Sequence, residues 1–261
     1  MDCRINIAAI SHPGLTCPVN EDALLLDLPY AGASIHGVLS RQYDATNWLV
    51  AVADGMGGGN AGAEASRRVV EALGKLHVSQ SRDVADALLS IHGNLLEAGQ
   101  VNPKWSGLGA AIAGIGAGED GVFVFNVGDC GAYRVVDGFL QQLSADDSIG
   151  GVLVKAGIAG EGPRQPGQNS LTQVLGGPFS DRIIVPHVSA VRLKSSARFL
   201  LCSDGLTDMI SLEVMEAKTV TGSPSDVVQA LLSAALEAGG KDNVTVMVMD
   251  VSPPETHNSN Q

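Results

Sequence analysis

The sequence has no long hydrophobic segment and no excess of positive charge, and each absence excludes a class of partner. No apolar run approaches the about 20 residues that a membrane-spanning helix needs. The N-terminus lacks the basic start and apolar core of a secretory signal peptide. Only 16 Lys and Arg stand against 28 Asp and Glu, whereas nucleic-acid backbones and anionic membranes require a basic face. We therefore expect a cytoplasmic protein that binds neither nucleic acid nor membrane.

Cysteine is also scarce, and its spacing is wrong for a zinc site. The four cysteines are Cys3, Cys17, Cys130 and Cys202, and no two of them form a Cys-x-x-Cys pair. Two of them lie beside apolar, strand-like segments. This pattern is typical of reduced thiols rather than zinc ligands or a disulfide framework.

The chain contains no linker that would divide it into domains. Its 261 residues include no Pro/Ser-rich linker and no charge run, and the length suits one large domain. We expect a single domain over residues 1–251 and a polar, disordered tail over 252–261. Residues 157–170 are rich in Gly, Pro and Gln and predict a mobile flap.

A sixteen-residue stretch beginning at Ala51 changes from apolar to glycine-rich to helix-forming. The apolar run 48–53 predicts a buried strand, so Asp54 is expected where that strand stops. The glycines that follow permit positive φ and would bring the carbonyl of Gly55 near whatever the carboxylate holds. Such a pair is a good ligand set for a hard cation. For the Asp-Gly pair alone, a helix cap at the start of a helix over 61–76 is the favoured alternative.

The same arrangement recurs, which favours the cation site. An apolar strand-like run ends in a turn with Asp and Gly at two further places, and one Asp precedes such a run by two residues; these are Asp129, Asp204 and Asp242. If the strand ends converge at one edge of a sheet pair, four carboxylates share a pocket and need cations between them. Oxygen ligands without His or Cys favour magnesium or manganese over zinc.

Periodicity predicts the other elements. Strands are expected over 4–10, 23–26, 108–115, 122–127, 132–136, 188–193, 198–202 and 244–249. Helices are expected from Ser81 to before Gly99, over 149–156, and from an N-cap at Ser223 to before Gly239. Residues 29–46 are expected to form a surface hairpin or loop. The three strands within 108–136 suggest an antiparallel meander.

Five short motifs carry a family resemblance. They are Asn20-Glu21-Asp22, Ala53-Asp54-Gly55-Met56-Gly57-Gly58, Val127-Gly128-Asp129, Ser203-Asp204-Gly205-Leu206 and Gly240-Lys241-Asp242-Asn243-Val244-Thr245. As an ordered set they resemble the PP2C (PPM) metal-dependent protein serine/threonine phosphatases, and Met56 is similar to the bacterial branch. The resemblance implies an α+β fold, a four-layer αββα sandwich in which two antiparallel β-sheets are flanked by helices.

The resemblance also implies the metal ligands and the cofactor. Asp54 resembles the carboxylate that bridges two metals, and Gly55 resembles the residue that lends its carbonyl to one of them. Asp204 and Asp242 resemble the remaining ligands of the other metal. Asp129, together with Asp204, resembles the pair that holds a third, weaker metal in bacterial members. The expected cofactor is therefore Mn²⁺ or Mg²⁺, with two ions and a possible third.

Catalysis in the family needs no protein nucleophile. Glu21 and Asp22 resemble acids that act on metal-bound waters, and Asp54 belongs with them because it bridges the metals. Two divalent ions about 3.5 to 4 Å apart activate a water for in-line attack on phosphorus. This agrees with the absence of a Cys-x5-Arg loop, and the six scattered His are interpreted as structural or solvated.

Four positions depart from the family pattern. An Arg that usually binds the substrate phosphate is Cys17 here, and the His that in the bacterial form follows Gly-Met-Gly-Gly is Gly59. The Asp-His-Ser-like motif reads Asp146-Asp147-Ser148, and the Gly-Thr-Thr-like motif reads Gly109-Ala110-Ala111. All expected metal ligands are present, whereas the substrate-binding residues are not assigned.

Loss of the phosphate-binding Arg leaves two interpretations open. In the first, another cation, Arg41 or Arg164, reaches in from a loop to bind the phosphate. In the second, Cys17 packs as a small apolar residue and the metals alone bind the phosphate.

The expected activity is hydrolysis of phosphoserine and phosphothreonine in a phosphorylated protein substrate, opposite a serine/threonine kinase, by a monomer. The alternative is a catalytically weakened, metal-binding module that recognises a phosphoprotein or regulator. A metal-dependent phosphodiesterase is the third option.

Overall fold

Two antiparallel β-sheets form the centre of the fold in the computed structural model, which describes residues 3–26, 29–31, 37–57, 61–159, 167–178 and 183–253. The first sheet has the spatial order β4 (Leu39–Ala45), β1 (Cys3–His12), β13 (Val244–Ser252), β12 (Ala197–Cys202), β8 (Gly131–Val136) and β9 (Phe139–Gln142). The second has the order β11 (His187–Val191), β7 (Gly121–Val127), β6 (Gly109–Gly118), β5 (Trp48–Met56), β2 (Asp22–Leu25) and β3 (Pro29–Ala31), and β10 (Leu175–Gly176) pairs with β6.

The two sheets pack face to face through alternate side chains of their strands. In β1, Ile5 and Ile7 belong to the core between the sheets, whereas Ala8 belongs to the core on the outer side. In β5, Val52 points between the sheets and Ala53 points outward. Because successive side chains of a strand point to opposite faces, strands that are covered on both faces read as continuous apolar runs.

Helices cover both outer faces of the sheet pair. On the second sheet lie α1 (Ala61–Leu73) and α2 (Ser81–Val101), and on the first sheet lie α4 (Asp204–Thr207), α5 (Leu212–Thr219) and α6 (Pro224–Glu237). The remaining helix is α3 (Ile149–Lys155), and Pro103–Trp105 forms one 3₁₀ turn. The order helix, sheet, sheet, helix confirms the expected αββα sandwich.

Two helix starts follow the capping chemistry of their sequences. The Ser223 hydroxyl accepts a hydrogen bond from the Asp226 N–H at 3.2 Å, and Pro224 occupies the first turn of α6. The Ser148 hydroxyl likewise accepts from Gly151 N–H at 3.0 Å at the start of α3. Both helices therefore begin where their sequences predict.

Several expected boundaries and pairings are wrong. The strand β5 continues two residues beyond Asp54, α2 continues through Gly99, and α5 has no counterpart among the expected elements. The predicted meander breaks after its first hairpin, because the chain crosses from β7 in one sheet to β8 in the other. A surface hairpin or loop was expected over 29–46, but the two strands described there do not pair with each other: β3 pairs with β2, whereas β4 pairs with β1 in the opposite sheet.

The ends of the expected domain and flap are only partly described. Ser252 still belongs to β13, one residue into the expected tail, and residues 254–261 lie outside the described ranges. Of the expected flap, 160–166 also lie outside them. Its last residue is hydrogen-bonded to the start of α3, since Ser170 O accepts from Ile149 N–H at 2.9 Å. No helix within the described ranges is long and apolar enough to cross a membrane.

Candidate metal centre

A cavity of about 390 Å³ at one end of the sandwich collects the carboxylates singled out in the sequence. Its lining includes Glu21, Asp54, Asp129, Asp204 and Asp242. They come from β5, the β7–β8 connection, the first residue of α4, and the segments before β2 and β13. Gly55 also lines the cavity, so every expected metal ligand reaches it.

Asp54 and Asp204 are neighbours among these carboxyl groups. The two side chains hydrogen-bond to each other. Burial, followed by the charges of Asp22 and Asp204, raises the pKa of Asp54 well above its usual range. Burial, followed by the charge of Asp129, raises the pKa of Asp204 to about 8. Both groups are half-buried and open onto the cavity.

Asp22 lies beneath the cavity and is only 1% exposed. It pairs directly with Asp54 across β2 and β5. Its Oδ2 accepts hydrogen bonds from the hydroxyls of Ser203 at 2.8 Å and Thr245 at 2.6 Å. Burial outweighs these bonds and raises the pKa of Asp22 to about 7. Its position suits a group that holds or exchanges a proton behind the metal ligands.

Glu21 reaches the cavity beside the first turn of α1. Burial raises the pKa of Glu21, opposed by hydrogen bonds from the backbone N–H groups of Ala63 and Gly62. Its carbonyl accepts from Gly55 N–H at 3.2 Å. A Cβ atom at Gly55 would stand 2.0 Å from the carbonyl oxygen of Gly62 and 2.6 Å from that of Glu21. Glycine is required here by close backbone approach, whereas positive φ occurs at Gly57 and not at Gly55.

The donor chemistry of the cavity fits a divalent oxygen-seeking cation. Glu21 Oε1 and Asp22 Oδ1 are buried oxygens with no hydrogen-bond partner, and buried oxygens of this kind normally have one. Across the described ranges, no three His, Cys, Asp or Glu side chains stand close enough together to hold one ion. The carboxylates thus line a common space without forming a finished coordination shell, and their oxygen-only chemistry favours Mg²⁺ or Mn²⁺.

The rim of the cavity contains Cys17. Asp242 is exposed there, and its Oδ1 accepts from Asn243 N–H at 2.7 Å and lies 3.7 Å from Cys17 Sγ. Burial, followed by the charge of Asp242, raises the pKa of the Cys17 thiol. The thiol is therefore next to an expected ligand but outside the residues that line the cavity.

Of the two expected replacement cations, only Arg41 lies within the described residues, and it is away from this rim. Arg41 lies on β4 opposite Ile7, five residues, or about 17 Å of strand, from the end of β1 at His12. Arg164 and Gly59 lie outside the described residues. Ala111 is paired with Asp54 and lines the cavity, so this wall is apolar.

One polar residue that the sequence reasoning missed holds the first motif in place. Asn243 donates from Nδ2 to the carbonyls of Pro13 and Val19, both at 3.0 Å, and its Oδ1 accepts from Glu21 N–H at 2.7 Å. Its position directly after Asp242 was the available signal, because a buried amide beside a ligand commonly orients the site. Ser203 and Thr245, whose hydroxyls bond Asp22, were missed in the same way. Ser203 directly precedes Asp204, and Thr245 follows Asn243 by two residues.

Of the four described histidines, three have structural partners, and His77 is exposed. His12 Nδ1 accepts from Gly14 N–H at 3.0 Å, and His92 Nδ1 accepts from Gly176 N–H at 2.9 Å. His187 contacts Asp147, while His36 and His257 lie outside the described residues. All four cysteines are free thiols.

Comparison with known proteins places these features in a family. The sequence profile of the family Protein phosphatase 2C matches residues 36–237. The chain is 31% identical over 256 residues to the serine/threonine protein phosphatase PstP of Mycobacterium tuberculosis, which covers 95% of this chain and 45% of that protein. It is 30% identical over 215 residues to the protein phosphatase PhpP of Streptococcus pneumoniae, covering 78% and 86% respectively.

A solved structure shows the same fold. The catalytic domain of the serine/threonine protein phosphatase PstP in complex with two manganese ions superposes with a TM-score of 0.77 and 26% identity, covering 96% of this chain and all of that one. The chain spans about half the length of the full mycobacterial relative.

Proposed function

The chain belongs to the protein phosphatase 2C family, and from this membership we propose that it is a metal-dependent protein serine/threonine phosphatase. The observation that carries the proposal is the convergence of the motif carboxylates on one cavity, beside two buried carboxyl oxygens that lack partners. Burial and the charges of neighbouring carboxylates raise the pKa values of Asp54 and Asp204, so a bound cation would stabilise their charged forms.

The roles that we propose are those that the family resemblance implies, and the shared cavity supports them. Asp54, Asp204 and Asp242, with the Gly55 carbonyl, would hold two Mn²⁺ or Mg²⁺ ions, and Asp129 with Asp204 a third. When bound, such ions lower the pKa of water and offset the charge of a phosphoryl group.

The chain's own groups then orient the site and move protons. Asp22, with a pKa of about 7, accepts or releases a proton at Oδ1 behind Asp54. Glu21 Oε1 offers a second proton-accepting atom at the cavity wall.

The substrate that we propose is a phosphorylated protein carrying phosphoserine or phosphothreonine, acted on by a monomer in the cytoplasm opposite a serine/threonine kinase. The relatives' names, which specify protein phosphatases, support this class. The alternative is a weakened metal-binding module, which Cys17 favours because the family's phosphate-binding Arg is missing.

Hydrolysis of p-nitrophenyl phosphate tests the proposal, because its leaving group needs no general acid. We expect turnover with Mn²⁺, loss of turnover with EDTA, and recovery when Mn²⁺ exceeds the chelator. The control is the same protein with Ca²⁺, which prefers a larger, more flexible shell of ligands. Tight Mn²⁺ binding without turnover would instead support the binding-module alternative.

Replacing Cys17 with Arg should lower KM for p-nitrophenyl phosphate by about one order of magnitude, on the order of 1.4 kcal/mol, with less change in kcat. The thiol lies beside Asp242 at the rim, and a guanidinium from this position can clamp two phosphate oxygens. Steady-state kinetics at saturating Mn²⁺ measure the change.

The matched control is Cys17→Gln, which has a long polar side chain without charge and should leave KM unchanged. A Mn²⁺ titration of Cys17→Arg guards against an ion pair with Asp242 that weakens metal binding. An unchanged KM in folded, metal-loaded Cys17→Arg would mean that position 17 does not reach the phosphate.

A further inference from the structure

Asp147 is a buried carboxylate outside the cavity, at the position where the family motif has His. Its exposed fraction is 9%, and three polar groups converge on it. Gly128 N–H donates to Oδ2 at 3.0 Å and Gln173 Nε2 to the same oxygen at 2.7 Å, while His187 Nε2 lies 2.9 Å from Oδ1 and 3.0 Å from Gln173 Nε2. A neutral histidine at position 147 would offer one acceptor nitrogen, which cannot accept from both Gly128 and Gln173 as the carboxylate oxygen does.

The first consequence concerns the backbone of Gly128. Its N–H donates to the Asp147 side chain, and its carbonyl accepts from Asp147 N–H at 3.2 Å and from Asn126 Nδ2 at 3.2 Å. Its φ is +97°, and a Cβ atom there would stand 2.5 Å from the Cβ of Ala111. The backbone N–H and the carbonyl of Gly128 are therefore both hydrogen-bonded. The next residue is Asp129, which lines the cavity.

Asp147 also contacts the segment that follows residues 169–171, another wall of the cavity. The Asp147 carbonyl accepts from Thr172 N–H at 2.6 Å and from the Thr172 hydroxyl at 2.8 Å. With Gln173 bound to the Asp147 side chain, the chain is anchored directly after residues 169–171, which line the cavity. One residue thus joins the wall that contains Asp129 to the wall formed by 169–171.

We infer that Asp147 is a positioning residue that fixes Asp129, through Gly128, and the 169–171 wall in one arrangement. The inference rests on the proposed function, since it takes Asp129 as a ligand of a divalent cation. Residues that hold metal ligands from behind commonly change metal affinity by about 10-fold to 100-fold when they are replaced.

The test is Asp147→Leu, which keeps about the size of the side chain and removes both acceptor oxygens. Isothermal titration with Mn²⁺ should show the affinity of the weaker binding step reduced by about 10-fold to 100-fold. The KM for p-nitrophenyl phosphate should rise more than kcat falls when Mn²⁺ is saturating, because Gln173, which follows the 169–171 wall, loses its bond to the side chain, while Thr172 keeps its bonds to the carbonyl of residue 147. Asp147→His should show the same losses although His is the family residue, because one imidazole nitrogen cannot accept from both Gly128 and Gln173.

The matched control is Asp120→Leu. Asp120 also accepts bonds from a backbone N–H and a hydroxyl, both of Ser81, but it lies at the far end of the β6–β7 hairpin. This variant should leave Mn²⁺ binding and KM unchanged. Gln173→Ala, which removes one donor and leaves Gly128 bonded to Asp147, should weaken Mn²⁺ binding less, and it replaces Asp147→Leu if that variant does not fold.

Two results separate the inference from the proposed function. Unchanged Mn²⁺ binding and KM in folded Asp147→Leu, or in Gln173→Ala if it stands in, overturn the positioning role alone. Wild-type protein that binds no Mn²⁺ overturns the proposed function itself. Full activity of Asp147→His also overturns the inference, because the paired bonds from Gly128 and Gln173 would then be dispensable.

Discussion

Asp54→Asn and, separately, Asp204→Asn will abolish Mn²⁺-dependent hydrolysis of p-nitrophenyl phosphate and leave the fold intact. The two carboxyl groups hydrogen-bond to each other inside the cavity. Each substitution removes a negative charge that a bound cation needs. The loss is several kcal/mol of transition-state stabilisation, on the order of 1,000-fold or more in rate. Turnover numbers at saturating Mn²⁺ measure it.

Stability in EDTA separates loss of a ligand from loss of the fold. Each Asn removes repulsion between neighbouring carboxylates, so both variants should unfold at the same temperature as the metal-free wild type or higher. Asp44→Asn is the control for activity, since Asp44 lies exposed on β4 beside Arg4 and should change neither property. Near wild-type turnover in either cavity variant would show that the metal assignment is wrong.

The metal-free protein should lose several kcal/mol of unfolding free energy as pH rises from 5 to 8. Folding raises the pKa of Asp22 to about 7 and that of Asp204 to about 8. In this range the folded state binds more protons than the unfolded state, so the free energy of unfolding falls with pH. Urea unfolding in EDTA at several pH values measures the slope, and Asp22, being fully buried, should dominate it.

Mn²⁺ and a single substitution provide the controls for this slope. Saturating Mn²⁺ should flatten or reverse it, because the cation stabilises the charged carboxylates. Asp22→Asn should reduce the slope because the amide does not titrate. Its oxygen can still accept from Ser203 and Thr245, so the local structure is kept. Glu64 accepts hydrogen bonds from Arg67, which lowers its pKa, so this group changes the free energy of unfolding only below pH 5. Stability that rises between pH 5 and 8 without metal would contradict the prediction.

Sequence reasoning located the carboxylates that line the cavity because each stands beside an apolar run that ends there. It misjudged the local geometry of Asp54, which lies inside β5 and pairs with Ala111 instead of following the strand. It explained the glycines after Asp54 by positive φ, which occurs at Gly57, whereas Gly55 is required by its close contact with Gly62. Close approach between distant backbone segments leaves no periodic signal in a sequence.

The assignment of strands to sheets could not be predicted for a related reason. Both faces of β6 are buried, and the runs of β7 and β8 look alike, so hydrophobic patterning does not say which sheet each strand joins. The buried polar group Asp147 was recognised only as a departure from the family motif. Its partner His187 is forty residues away, and only the folded chain brings the two together.

The position of β13 has a consequence for synthesis of the protein on the ribosome. This strand, the last one described, lies between β1 and β12, and Asn243 directly before it secures the loop that carries Glu21. Until residues 244–252 leave the exit tunnel, the first sheet is split into two halves and Asp242 is far from Asp22. A nascent chain therefore remains unable to assemble the cavity until residues 244–252 have emerged.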